Sequence, residues 1–179
     1  AGLETDLAER LFPAAWQALQ ACGGGGLVSG TEGHRLHFRH EIARRALAES
    51  LPAPRRRVLH AALLDALADA EVPAARRVHH ALAAGRDDAV LRWATLAASE
   101  AALVGAHHEA AGLTGLALAR APVADRAALQ ERRAEAWLRC NAHDAAIDDR
   151  LQALATAQAD GDAEATGRHR LWLARLHWM

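Results

Sequence analysis

Two stretches of this chain repeat one another, and that repeat limits the folds open to it. When GAHHEAAGLTGLALA from Gly105 is laid on NAHDAAIDDRLQALA from Asn141, Ala106, His107, Ala110, Ala117, Leu118 and Ala119 recur 36 residues later as Ala142, His143, Ala146, Ala153, Leu154 and Ala155. Small residues at fixed positions let paired helices approach closely, and stacked pairs bury a continuous core that no single pair buries alone. The expected fold class is therefore mainly α, an α-solenoid of helical hairpins.

The breaks between helices are also legible. From Leu3 to Cys22 the pattern is helical, with Pro13 placed to open a second short helix carrying Trp16 and Leu19, and Gly23 to Gly26 stop it. In LVSGTEGHRLHFRH, Leu36 and Phe38 alternate with Arg35, His37 and Arg39; with Leu27 and Val28 before an SGTEG turn, this predicts a small β-hairpin. Pro52 and Pro54 separate a helix near 40–50 from one near 55–71, and Pro73 opens the next, which runs to about Ala84. Further breaks fall at Gly105, Ala121-Pro122, Asn141 and Gly161. In the helix from Asp87 to Val104, the residues Val90, Trp93, Ala94, Ala97, Ala101 and Val104 form one apolar stripe; Ile147, Leu151, Leu154, Ala155 and Gln158 form a shorter one.

Composition narrows the function. Twenty-one basic against 22 acidic residues leave a net charge of -1, which gives no overall attraction to a phosphate backbone, so direct nucleic-acid binding is not expected. All the basic residues other than histidine are Arg; without Lys the chain cannot supply a P-loop or a Schiff base, and no nucleotide cofactor is expected. Cys22 and Cys140 stand alone, which suits a reducing cytoplasm, and no apolar run approaches the ~18 residues of a membrane span. The start at Ala1-Gly2 suggests a fragment of a longer protein.

The tempting chemical motifs have plainer readings. On a strand, His37 points away from His34 and His40, so the three do not converge on a metal. HEIAR at His40 lacks the second His of a zinc protease, and the neighbours His79-His80 and His107-His108 point about 100° apart on a helix. Arg55, Arg56 and Arg57 fan around a helix start as a solvated face. Asp87-Asp88 and Asp148-Asp149 suit helix starts or polar faces. No catalytic constellation has recognisable spacing. The chain is therefore read as no enzyme, with no metal and no cofactor.

Two resemblances sharpen this reading. Ala98 and Ala110, then Ala134 and Ala146, resemble the small residues at the eighth and twentieth positions of the tetratricopeptide repeat, with Gly105 and Asn141 between the helices. The W-x-x-L-G-x-x-Y core of that repeat is missing, although Trp137 falls where its Tyr belongs. More broadly, LHFRHEIARRALAESLPAPRRRVLHAALLDAL and the terminal GDAEATGRHRLWLARLHWM resemble the region following the ATPase core in large ATP-binding regulators of the LuxR type. There a winged-helix module ends in FRH and a helical repeat region begins. The resemblance implies a winged-helix-like module with one β-hairpin over residues 1–50 and a tetratricopeptide-like region over 55–179. It also implies Phe38 as a core anchor and Arg39-His40 as the join from strand to helix.

The function so implied is a non-catalytic interaction and signal-relay region of a cytoplasmic transcription regulator. Its partners would be a protein, a peptide or a small inducer, together with the parent's ATPase and DNA-binding modules. The alternative is a free-standing tetratricopeptide-like adaptor. Transferring the repeat's concave-face register makes Arg92, Thr95, Ser99, Glu131, Glu135 and Arg139 the expected partner-binding residues.

Overall fold

A computed structural model describes residues 3–4, 9, 13, 28–31 and 35–177. The expected glycine-rich loop and the helix carrying Trp16 lie outside the described residues. Contacts within the chain divide it into two compact units: Ala1–Glu71 with Ala83–Gly85, and Val72–Leu82 with Arg86–Met179.

In the first unit, strands β1 (Leu3–Glu4), β2 (Val28–Thr31) and β3 (Arg35–Phe38) form an antiparallel sheet in the order β1-β3-β2. Leu3 and Glu4 thus extend along β3, where the sequence pattern suggested the start of a helix. Ser29, Gly30 and Thr31 also belong to a strand, not to a turn, because β2 pairs with β3 from Val28 opposite Phe38 to Thr31 opposite Arg35. Phe38 keeps 39% of its exposure and so is not a core anchor.

Helix α1 (Glu41–Ser50) follows His40, whose extended backbone joins strand to helix. Pro52 precedes helix α2 (Ala53–Ala66), and Pro54 sits in its first turn, where a missing N–H is harmless. Arg56 does more than face solvent: its Nη1 donates to the Leu51 carbonyl at 2.6 Å, satisfying backbone just past the end of α1.

The second unit holds helix α3 (Ala74–Ala84) as far as Leu82, then α4 (Asp87–Leu103), α5 (His107–Leu118), α6 (Val123–Arg139), α7 (His143–Ala159) and α8 (Ala163–His177). Helix α4 packs on α5, α5 on α6, α6 on α7 and α7 on α8, so each element of this series meets its chain neighbour. The starts of α4 and α5 recur 36 residues later as the starts of α6 and α7. The fold is mainly α and built from repeated hairpins. Among the described residues, no helix is long and apolar enough to cross a membrane.

The helix ends explain the repeat's punctuation. Gly105 (φ 78°) and Asn141 (φ 60°) occupy the left-handed region after α4 and α6, a conformation that Gly adopts freely and Asn tolerates. The following amides then reach back: Ala106 N–H donates to the Ala101 carbonyl at 2.9 Å, and Ala142 N–H to the Trp137 carbonyl at 3.0 Å. Both turns have the Schellman pattern, which uses carbonyls that the helix leaves unpaired. At the start of α8, Asp162 Oδ1 accepts from the Ala165 amide at 2.9 Å.

The core of this unit is made largely of alanine. Val90, Ala94, Ala97 and Ala101 bury the expected face of α4, but Val104 lies just beyond the last turn and is 80% exposed. On α7 the expected apolar stripe is not the buried one: Leu151 is exposed, whereas Ala146, Asp149, Arg150, Ala153 and Ala157 are buried. Close helix contact selects the small side chains, and two charged residues on that face pair with other helices.

Candidate functional site

The first of those pairs joins α6 to α7. Arg133 Nε donates to Asp149 Oδ2 at 2.8 Å and Nη2 to Oδ1 at 2.5 Å, a two-pronged contact that fixes geometry as well as charge. Asp149 is 2% exposed and therefore does not lie on a polar face. The bond to Asp149 holds the Arg133 guanidinium further above its already high pKa, against the opposing effect of burial.

Arg150 lies beside it, also 2% exposed, and reaches in two directions. Toward α6 its Nη1 donates to Glu131, and its Nη2 lies 3.9 Å from Glu135. Toward α8 it meets His169 Nδ1 at 3.2 Å, and its guanidinium stacks 4.5 Å from the Trp172 ring centroid. The Arg150 Nε has no hydrogen-bond partner among the described residues. One side chain from α7 thus fills the space between α6 and α8.

His169 carries the pH sensitivity of this cluster. Burial, the strongest influence, holds its pKa below the ordinary value; Arg150 and Arg168 act in the same direction, while Glu131 and Asp162 oppose them. The unfolded chain then takes up this proton more readily than the folded one. The contribution of His169 to stability is therefore fully present above its ordinary pKa of ~6.5 and lost as pH falls through its lower folded value. Urea midpoints measured from pH 8 to pH 5 should fall on acidification, and His169→Gln, which keeps an acceptor without titrating, should flatten that fall. An unchanged slope in the variant would contradict the assignment.

The expected partner-binding residues divide into two groups. Arg92 is exposed and stacks on its neighbour Trp93 at 4.5 Å; Arg77 covers the same ring at 4.4 Å. Thr95 and Ser99 turn their hydroxyls onto the backbone of their own helix, and Ser99 also accepts a hydrogen bond from Arg132 of α6. Glu131 is committed to Arg150, whereas Glu135 and Arg139 are exposed.

Glu135 and Arg139 help to line a cavity of about 250 Å³ in the second unit. Its walls are Ala98 and Ala102 of α4; His107, Ala110 and Thr114 of α5; and Arg132, Glu135, Ala136 and Arg139 of α6. Arg92, Thr95, Ser99 and Glu131 do not line it. The sequence reading missed Arg132, Thr114 and Arg150. Register could have found two of them: Thr114 and Arg150 are 36 residues apart, the same spacing as the starts of α5 and α7. Where the second hairpin inserts a long guanidinium, the first has a short hydroxyl and leaves a space.

Comparison with known proteins adds no identification: no family model, no curated protein and no solved structure matches the chain. The class that stands is a helical-repeat protein with a polar-walled cavity between its first repeated hairpin, α4–α5, and α6.

Proposed function

We propose that the chain is a non-catalytic interaction and signal-relay region of a LuxR-type transcription regulator, with a winged-helix-like first module and a tetratricopeptide-like second one. In this reading the helical array binds a protein segment, a peptide or a small inducer. Binding shifts the balance between arrangements of the parent's ATPase and DNA-binding modules, as differential affinity for two states requires.

The observation that carries the reading is a cavity that sets Arg132, Glu135 and Arg139 against alanine methyls in a largely alanine-packed array. A scaffold needs only its buried faces; an open space walled by Arg132, Glu135 and Arg139 is suited to a ligand. Mixed charge at Arg132, Glu135 and Arg139, with Arg92 apart from them on α4, favours a peptide or an inter-module segment over nucleic acid.

The test has two parts. The reading frame around this chain is expected to encode a nucleotide-binding module before it and a helix-turn-helix after it; a frame carrying neither supports the free-standing adaptor instead. In the parent protein, Arg92→Ala combined with Arg139→Ala should keep the helical circular dichroism while weakening the inducer response. Hydrogen bonds to charged groups contribute ~1.5–3 kcal/mol each, so the shift should be roughly tenfold or more. An unchanged response rejects the surface that carries Arg92 and Arg139 as the functional one.

A further inference from the structure

The cavity at Thr114 has a counterpart that indicates what it can hold. Thirty-six residues on, Arg150 leaves α7 and inserts a cation between α6 and α8, where Glu131 and Glu135 receive it. In the first hairpin the residues equivalent to Glu131 and Glu135 are Thr95 and Ser99, 36 positions earlier, so no carboxylate of α4 waits for a cation. The charges at this cavity come mainly from α6 instead: the Arg132 and Arg139 guanidiniums, with the exposed Glu135 carboxylate, whose far contact is Arg150 at 3.9 Å, between them in sequence; His107 of α5 lines the same space. A guanidinium has five N–H donors, and Ser99 accepts one from Arg132. The Thr114 hydroxyl donates to the Ala110 carbonyl at 2.8 Å, and its oxygen can still accept. The remaining wall is the His107 imidazole and the methyls of Ala98, Ala102, Ala110 and Ala136.

This wall combines two guanidiniums for a carboxylate, one carboxylate for an ammonium, the His107 imidazole, and a patch of methyl groups. The volume, about 250 Å³, is small beside the ~300–1,000 Å³ of sites for drug-sized molecules. A doubly charged phosphate would face Glu135 with a repulsive excess, and the small volume favours a short molecule.

We propose that this cavity binds a small zwitterion, a free α-amino acid with a short apolar side chain. Its carboxylate meets Arg132 and Arg139, its ammonium meets Glu135, and its side chain lies on the alanine wall. The inference rests on reading the array as a ligand-binding scaffold and names the small-molecule class that such a scaffold takes.

The experiment is a titration of the full chain, methyl-labelled at Ala and Thr, with L-valine as the probe. Two controls are 3-methylbutanoate, which lacks the ammonium, and 2-methylpropylamine, which lacks the carboxylate. L-valine should shift the Thr114 and Ala110 methyl signals saturably, and each control should bind at least about tenfold more weakly, the factor expected from losing one charge-assisted hydrogen bond. Thr114→Met, which fills the space from within, should abolish the shift at Ala110. Arg139→Gln, on an exposed position where folding is not at stake, should weaken it. Overturning results are no saturable shift with L-valine, equal binding of the amine, or undiminished binding in both variants. Because Thr114→Met leaves Arg92 untouched, lost valine binding alongside an intact inducer response would reject a role for the cavity in that response, without rejecting the surface that carries Arg92.

Discussion

Asp149→Ala should destabilise the second unit by about 3–5 kcal/mol, the usual result of removing one partner from a buried ion pair. The cause is what remains: a guanidinium that had both prongs on Asp149 and is about three-quarters removed from solvent. Its residual exposure puts the expected value toward the lower end of that range. Urea denaturation monitored by circular dichroism would measure it. Replacing both partners, Arg133→Met with Asp149→Leu, should recover most of the loss, because no unpaired charge is left buried. A single-variant cost below ~1 kcal/mol, the level of a surface pair, would show that the contact is solvated.

Ala134→Leu should come second, at about 1–3 kcal/mol, since a larger side chain in a filled contact forces neighbours off their preferred rotamers. Ala134 is fully buried and Ala98 nearly so, both on the faces where hairpins close. Ala128 lies on the same helix as Ala134 and is exposed. Leu at position 128 should stay within about 0.5 kcal/mol of the parent chain, as surface changes do. Equal effects at 128 and 134 would mean that the repeat register is wrong.

The register itself could be read from sequence because alanine and helix-stopping residues recur together. Gly105 and Asn141 differ chemically, but both accept a left-handed backbone, and Ala98, Ala110, Ala134 and Ala146 mark the buried face between such stops. What failed was the choice of face on α7. Amphipathic reasoning ranks Leu151 above Asp149 as a core residue, yet Leu151 lies two residues, about 200° around the helix, from Asp149, so burying the Asp149 face leaves it exposed. Asp149 and Arg150 looked like a polar edge because their partners lie far off in sequence, in α6 and α8. The repeat contained the missing signal. Their equivalents in the first hairpin are Leu113 and Thr114, both buried, so a charged pair at those positions has to be buried and paired as well.

The same reasoning explains why the candidate site was only half visible. Glu135 and Arg139 followed from the register of one helix, but a cavity depends on what a neighbouring element fails to fill. That required comparing Thr114 with Arg150 in three dimensions. Arg92 lies away from the cavity, stacked on Trp93.

The repeat consists of two hairpins closing in one register, α4 on α5 and α6 on α7. Methyl–methyl nuclear Overhauser spectroscopy on the full chain, labelled at alanine, measures that closure directly. The account predicts cross-peaks from Ala98 to Ala110 and from Ala134 to Ala146. Absence of both, with Ala98 and Ala134 instead giving cross-peaks to residues one or two positions along α5 and α7, would contradict it.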